Sequence, residues 1–218
     1  MSKDISIKNG ANLNLKGLAS KEFGVPKKSL TYALNPDDFF ALNPRMLVKE
    51  GEKVLKGQPI FHDKNDESIK IVSPVSGKVK EVLRGAKRKI LYVVIQREGE
   101  DAVKFDIPST SKISKENIIK LLVESGSLAY IKQRPYNIIA RPNKIPKSIF
   151  VSTHSTAPYA ADYNFVMTKR MDDFQLGIDI MSRLIDKPIN LSVSHNNVSS
   201  FNNLNNVEIY KIKGVHPS

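Results

Sequence analysis

The 218-residue sequence contains no cysteine. This absence excludes disulfide bonds, thiolate metal sites and cysteine-ligated iron–sulfur clusters within these residues, and it fits a reducing compartment. No apolar run approaches the ~20 residues that cross a bilayer. The stretch Met1-Ser2-Lys3-Asp4 has neither an apolar signal core nor a myristoylation glycine. We therefore expect a soluble chain in the cytoplasm, without a transmembrane segment.

Acidic residues are the scarcer charged class, with 22 Asp and Glu against 34 Lys and Arg, which gives a net charge of +12. A basic balance favours polyanionic partners or an anionic membrane surface. Most lysines are scattered, but residues 84–89 (Arg-Gly-Ala-Lys-Arg-Lys) concentrate four cations in one turn. This turn suits either a phosphate or acidic partner patch, or a plain solvated loop. Stacking aromatics do not alternate with the basic residues, so nucleic acid is not an expected partner.

The first half of the chain has the short, glycine- and proline-punctuated apolar runs of β-structure. Residues 48–61 carry two glycines among valines, and residues 71–79 form a second such element. Together they predict two short hairpins of a flattened barrel, the barrel-sandwich hybrid of biotinyl and lipoyl carrier domains. Residues 5–7 and 13–15 flank Asn9-Gly10, which predicts a further hairpin, and residues 90–95 read as a strand buried on both faces.

The pattern changes near residue 110, where residues 107–111 read as a linker. We predict a barrel-sandwich hybrid domain over residues 1–110 and a Rossmann-like α/β domain over residues 111–218. A helix capped by Ser114 and ended by Gly126 opens the second part, and a proline-rich extended connector follows over residues 133–147. Strands at 148–152, 189–193 and 207–212, with a helix of residues 171–185 after the first, predict parallel winding. Three strands would leave an open sheet edge, so we expect the α/β domain to be incomplete, as in an N-terminal fragment.

Carrier domains present a modified lysine at a hairpin tip, usually within Asp-Lys-Ala or Met-Lys-Met. In this sequence the spacing puts the carrier position near Asp66, which is not a lysine, and Lys64 lacks the flanking pattern. The hairpin is therefore predicted to be a polar tip, without a carrier function.

The loop after the strand at 148–152 contains no glycine, although a nucleotide-binding Rossmann fold places Gly-x-Gly-x-x-Gly there. An NADH site in these residues is therefore not expected. Serine and threonine hydroxyls in this loop either cap turns or donate hydrogen bonds to a ligand. The weak candidates for such a ligand site are Thr153, His154, Thr156 and Tyr159, because the loop follows the carboxyl end of a strand.

No arrangement of residues indicates a metal site or a hydrolase. The histidines at 62, 154, 195 and 216 lack metal-ligand spacing, although His154 and His195 follow successive predicted strands and could meet at one sheet end. Ser152 lies near His154 without a Gly-x-Ser-x-Gly elbow. We predict neither a catalytic residue nor a metal ligand in this chain.

Eight segments follow one another along the chain at residues 5–10, 44–51, 56–61, 84–88, 134–136, 146–151, 160–162 and 173–177. Taken together and in this order, they resemble the A-subunit family of the Na⁺-translocating NADH:quinone oxidoreductase, a bacterial respiratory complex. The resemblance covers nearly the whole chain. The family pattern continues past Gly-x-His-Pro, which here is residues 214–217, in keeping with the fragment interpretation.

The resemblance implies a peripheral subunit on the cytoplasmic face of the bacterial inner membrane. Its partners would be the other subunits of a sodium-transporting oxidoreductase and translocase of respiratory electron transport, with ubiquinone as a further contact. The complex of this family uses NADH, FAD, FMN, iron–sulfur clusters and ubiquinone. Its A subunit resembles NADH-binding flavoproteins, but the resemblance implies that the A subunit has lost its own cofactor sites. We therefore expect no cofactor bound by this chain and no catalysis by it alone.

Three alternatives stay open at this point. The first is the C subunit of the related Rnf electron-transport complexes, which the resemblance also covers. The second is a biotin or lipoyl carrier fused to an α/β domain. The third is a binding module that acts only through its basic surface, with salt-sensitive binding as its signature.

Overall fold

A computed structural model describes residues 3–17, 19–106, 113–195 and 200–217. The chain forms two compact units: Pro26–Lys144 is the first, and Met1–Val25 together with Ile145–Ser218 is the second. This division differs from the predicted boundary at residue 110 because the N-terminal segment belongs to the second unit and residues 113–144 belong to the first. The predicted linker, residues 107–111, lies outside the described residues.

The described strands and helices are as follows in chain order. The strands are β1 Lys3–Ile7, β2 Thr31–Leu34, β3 Pro44–Met46, β4 Lys53–Val54, β5 Pro59–Asp63, β6 Asp66–Val72, β7 Gly77–Arg84, β8 Ile90–Arg97, β9 Lys132–Gln133, β10 Ile138–Ile139, β11 Phe150–Ser152, β12 Ile189–Ser194 and β13 Val207–Gly214, and the α-helices are α1 Lys115–Glu124, α2 Tyr163–Met167 and α3 Met171–Ile185. None of the helices in the described ranges has the length and apolar character to span a bilayer.

The unit of residues 26–144 is a barrel-sandwich hybrid, as predicted. One antiparallel sheet has the strand order β2-β8-β7-β4 and the other has the order β3-β5-β6. Phe61 and Ile60 from β5 and Val79, Val93 and Ile95 from β7 and β8 have no exposed surface, and they form the core between the sheets. Val93 and Ile95 lie at alternate positions of β8, as expected for a strand with one face toward the core, whereas Ile60 and Phe61 are adjacent in β5, where the register shifts.

The predicted pairing within this unit is wrong. The hairpins are β5–β6 and β7–β8, whereas residues 48–61 and 71–79 each carry the chain from one sheet to the other. Gly77 makes one of these crossings: a Cβ there would lie 1.9 Å from the carbonyl oxygen of Gln96. Strand β8 is not buried on both faces, because Tyr92 is 42% exposed.

Residues 113–144 pack on the barrel. Helix α1 begins at the N-cap Ser114, whose hydroxyl accepts from the amide of Asn117 at 3.3 Å, as the sequence predicts. Leu128, Ala129 and Ile139 then join the barrel core. The segment 133–147, which was predicted to be an extended connector, instead contains strand β10, and β10 pairs with β9 in antiparallel fashion. Apolar burial thus assigns this segment to the first unit.

The second unit is built on a parallel four-stranded sheet with the order β1-β13-β12-β11. Strand β1 pairs in parallel with β13 over its whole length. The predicted hairpin of residues 5–7 with residues 13–15 is therefore wrong, and the edge of β13 that was expected to be open is covered by β1. Leu191, Val193 and Phe201 form the core of this unit, and α3 confirms the predicted helical stripe. Its Phe174 ring meets Phe201 edge-on at 5.2 Å.

Candidate functional site

All four strands of the parallel sheet end at the same edge, because parallel strands share their direction. The loop after β11 and the carboxyl ends of β1, β12 and β13 line a cleft of about 720 Å³ at this edge. Its lining residues are Ser6, Ile7, Lys8, Thr153, His154, Ser155, Thr156, Ala160, Ala161, Asp162, Tyr163, Asn164, Ser194, Ile212, Lys213, Gly214 and Val215. Open α/β sheets bind ligands at this edge, and the cleft volume lies within the usual range for small-molecule sites.

The loop after β11 is held to the sheet by Thr153. Its amide and its hydroxyl both donate to the carbonyl oxygen of Ser192, each at 3.0 Å. The hydroxyl of Ser152 donates to the carbonyl oxygen of His154 at 3.1 Å. Thr153 is buried, and its hydroxyl is already committed, so it positions the loop rather than offering a donor to a ligand.

His154 is the least satisfied polar side chain of this loop. Both of its ring nitrogens are buried, and neither has a hydrogen-bond partner among the described residues. The side-chain oxygen of Asn164 is buried and unpartnered in the same way. Buried polar groups are nearly always paired with protein, water or ligand. These atoms therefore need a partner, which water or a bound molecule would supply.

The turn after β13 closes one side of the cleft. Thr156 Oγ1 and His216 Nδ1 lie 3.0 Å apart, within hydrogen-bonding distance. The carbonyl oxygen of His216 accepts from the amide of Ala11 at 2.9 Å, and its amide donates to Asn12 Oδ1 at 3.1 Å. Three loops, those after β1, β11 and β13, are thereby joined around one histidine.

Gly10 makes this junction possible. Its φ is +148°, and a Cβ at this position would lie 2.1 Å from the carbonyl oxygen of His216. The sequence Asn-Gly usually favours a hairpin turn. In this structure its glycine instead allows two backbone segments to approach closely.

Asp162 ends the loop and begins α2. Its carboxylate accepts from the amides of Asn164 and Phe165 at 3.0 and 3.3 Å, and it pairs with Lys21 Nζ at 2.7 Å. The hydrogen bond from Lys21 is the main reason why the pKa of Asp162 is lowered, and the amide hydrogen bonds contribute. This carboxylate therefore stays ionised and acts as a cap.

Of the four residues proposed from the sequence, Thr153, His154 and Thr156 line the cleft, and Tyr159 does not. Tyr159 is exposed, and its hydroxyl donates to the carbonyl oxygen of Lys16 at 2.9 Å. Sequence reasoning missed the contributions of β1 and β13, such as Ile7 and Ile212, because it placed β1 in the other domain.

The remaining candidates lie apart from the cleft. His195 follows β12 but does not line the cleft; its Nδ1 lies 3.9 Å from Asp4 Oδ1. Within the part of the chain that the structure describes, no group of three His, Cys, Asp or Glu side chains could hold a metal ion. Lys64 is exposed in the turn between β5 and β6, so the hairpin tip falls at Lys64 and not at Asp66 as predicted.

Two family models match the chain in sequence. The first is described as the NqrA N-terminal barrel-sandwich hybrid domain and matches residues 5–98, and the second is described as the NqrA second alpha/beta domain and matches residues 113–218. The gap between the two matches, residues 99–112, contains the boundary predicted from the sequence at residue 110, whereas the two compact units divide the chain at other positions.

Curated relatives, each named as the A subunit of Na(+)-translocating NADH-quinone reductase, are similar over almost the whole chain. The protein from Neisseria gonorrhoeae (strain NCCP11945) is 32% identical over 217 residues, and those from Vibrio vulnificus (strain YJ016) and Vibrio campbellii (strain ATCC BAA-1116) are each 33% identical over 217 residues. Each alignment covers 98% of this chain and 48% of the relative. The chain therefore spans about half the length of the curated relatives it matches.

Proposed function

The chain belongs to the NqrA family, and from that premise we propose that it acts as part of the A subunit of a Na⁺-translocating NADH:quinone reductase. The observation that carries this proposal is the succession of two NqrA domain matches, residues 5–98 and 113–218, in the order of the family. The relatives that share almost the whole of this chain carry that enzyme's name.

The proposed role within the enzyme is structural, without an NADH, flavin or iron–sulfur site in these residues. The loop from β11 to α2 contains no glycine that would let a pyrophosphate approach the backbone, and the chain contains no cysteine to ligate a cluster. Hydride and electron transfer would then belong to other parts of the enzyme. We place the chain on the cytoplasmic face of the membrane, against the membrane-embedded subunits.

We further propose that the cleft at the carboxyl edge of the parallel sheet contacts quinone. A quinone ring needs an apolar slot and a hydrogen-bond donor for a carbonyl oxygen. Ile7, Ile212 and Val215 line the cleft as apolar side chains, and the ring N–H of His154 is a donor without a partner among the described residues. A buried donor that lacks a partner gains a hydrogen bond when the ligand arrives, which favours binding.

Labelling with a photoreactive ubiquinone tests the proposed contact. We expect the label on peptides that contain residues 152–164 or 207–217, and we expect excess unlabelled quinone to reduce it. Labelling confined to residues outside these two segments would overturn the quinone contact while leaving the membership of the reductase intact.

Co-purification tests that membership itself. A tagged copy of the chain should recover the membrane-embedded reductase subunits from detergent-solubilised membranes, and its deletion should remove Na⁺-dependent NADH-to-quinone activity. Recovery of a cluster-containing Rnf complex instead would favour the alternative of an Rnf C subunit.

One observation favours a carrier function as a second candidate: Lys64 is exposed in the tight turn of the β5–β6 hairpin. The turn is tied down, however, since the Lys64 amide donates to the carbonyl oxygen of Asn43 at 2.7 Å, and Asp63 Oδ1 accepts from the amides of Asn43 and Asn65. Intact-mass measurement decides this candidate, because a lipoyl or biotinyl adduct on Lys64 would add its mass to the chain.

A further inference from the structure

The outer face of the sheet β2-β8-β7-β4 has an apolar centre. The fully buried Val93 and its cross-strand partner Val82 pack against the core, so the neighbouring cross-strand pair points outward. Leu83 and Tyr92 are cross-strand partners in the β7–β8 hairpin, and they are 41% and 42% exposed. Val94 is half-buried and pairs with the exposed Ala33 of β2. An apolar stripe therefore runs across three strands on the side of the sheet that faces away from the core.

Cations lie on both sides of this stripe. At the hairpin tip, residues 84–89 include Lys87 and Arg88, which have positive φ values and form no ion pair among the described residues. Lys89 is paired with Asp37 at 2.6 Å. At the other end of β7 stand Lys78 and Lys80. Glu81 is the one acidic residue in the sequences of these four strands.

A second, independent feature also indicates missing negative charge. Lys53 of β4 and Lys78 of β7 are directly opposite each other in the antiparallel register, and both are exposed. Cβ atoms of opposed residues lie ~5 Å apart, and like charges in this arrangement destabilise a sheet. No acidic side chain forms an ion pair with either lysine within the described ranges. An anionic group placed over this face would remove the repulsion.

We propose that this face, defined here as the outer surface of β4, β7, β8 and β2 with the turn of residues 84–89, is a docking surface for an acidic protein surface with an apolar centre. The identity of the partner rests on the proposed function: it is another subunit of the reductase. Tyr and Arg are enriched in protein interfaces, and apolar centres with charged rims are their usual arrangement. A membrane surface fits this face less well than a protein does. An amphipathic segment that binds lipid buries its apolar side about 5–10 Å into the headgroup region, whereas Leu83 and Tyr92 are only half-exposed on a sheet.

The size of the face sets how much of an interface it provides. The 22 residues of these four strands cover about 350 Å² at the usual strand spacing and rise. A stable interface uses ~800 Å² on each partner. The face therefore supplies the centre of the contact, and the basic turn supplies much of its rim.

The first test uses two single substitutions with matched controls in the full-length protein, expressed with the reductase. Leu83→Glu is compared with Leu176→Glu, an equally exposed leucine on α3 (43%), and Lys78→Glu is compared with Lys132→Glu. We expect Leu83→Glu and Lys78→Glu to lower recovery of the partner subunits by at least about tenfold, and the controls to match the unaltered protein. Lys78→Glu should also raise the midpoint of urea unfolding of the isolated chain, since it replaces a like-charge pair by an attractive one. Weaker binding by a more stable chain cannot come from misfolding.

The second test replaces Tyr92 by the photocrosslinker p-benzoylphenylalanine, with the exposed Tyr136 as the control position. A light-dependent adduct with another reductase subunit, from Tyr92 and not from Tyr136, would support the docking surface. Three results would overturn it. They are an adduct between two copies of the chain, binding to phosphatidylglycerol vesicles without a protein adduct, and undiminished recovery of partners by both variants. If the unaltered chain recovers no reductase subunit, the proposed function fails. If the unaltered chain and both variants recover the subunits equally, only the docking surface fails.

Discussion

Replacing Gly10 by alanine tests the junction that shapes the cleft. The added Cβ would lie 2.1 Å from the carbonyl oxygen of His216 and 3.0 Å from a methyl group of Val215. Backbone atoms cannot yield as a flexible side chain can, so the loop after β1 must separate from the turn after β13. That separation removes the hydrogen bond from Ala11 to His216 and the hydrogen bond from His216 to Asn12.

The magnitude follows from two contributions. A φ of +148° costs a non-glycine residue about 1–3 kcal/mol, and each lost hydrogen bond costs about 1 kcal/mol. Because the two contributions partly overlap, we expect the free energy of unfolding of the α/β unit to fall by about 3 kcal/mol. Gly24→Ala is the matched control, because no atom lies within 4 Å of its added Cβ, and it should change stability by less than about 0.5 kcal/mol.

Urea unfolding followed by circular dichroism measures the loss, and hydrogen exchange read by mass spectrometry locates it. Amides of residues 207–214 should exchange faster in Gly10→Ala, while those of β7 and β8 should be unchanged. A loss below about 0.5 kcal/mol with unaltered exchange in β13 would refute the close approach on which the cleft depends.

Three further predictions concern single side chains. His154→Ala should weaken quinone binding to the purified protein by about tenfold in an equilibrium titration with little change in stability, because it removes an unpartnered donor; unchanged affinity would contradict the proposed contact. Asp162→Asn keeps the cap but loses the ion pair with Lys21, so it should cost at most about 1 kcal/mol at neutral pH. The pKa of Asp162 is lowered in the folded protein, so its ionised carboxylate contributes fully to the free energy of unfolding at pH values above the ordinary pKa of 3.8. This contribution disappears as the pH falls through the lower folded pKa, so the acid unfolding curves of the variant and the unaltered protein should converge. Gly77→Ala should prevent stable folding of the barrel, since its Cβ would lie 1.9 Å from the carbonyl oxygen of Gln96; normal yield and thermal stability would contradict the backbone crossing described above.

The sequence predicted the elements whose signal is local. The apolar stripe of α3, the cap at Ser114 and the apolar strands of the barrel all have residues at the spacing their secondary structure requires, and the structure contains each of them. The two architectures, a barrel-sandwich hybrid and an α/β sheet, follow from these elements.

Pairing between distant segments was not predictable in the same way. Strand β1 pairs with β13, which lies near the other end of the chain, and a parallel pair has no connecting turn whose residues could reveal it. The Asn-Gly signal pointed to a hairpin, although Gly10 is required by its contact with His216. As a result, the contribution of β1 to the cleft was missed.

The site was predicted in part because strand ends are readable in sequence and loop conformation is not. His154 and Thr156 follow β11 closely and line the cleft, whereas Tyr159 comes later in the loop and its hydroxyl donates to the carbonyl oxygen of Lys16. Counting residues put the carrier position near Asp66, whereas the turn between β5 and β6 falls at residues 64–65. The register shifts between these two strands cannot be read from a residue count.

Purification of the tagged full-length protein from native membranes, with a deletion strain as the reference, tests the central claim most directly. The account predicts that the membrane-embedded reductase subunits are recovered with it and that the deletion strain loses Na⁺-stimulated NADH-to-quinone activity until the gene is restored. Recovery of the chain alone, with that activity unchanged in its absence, would contradict the account.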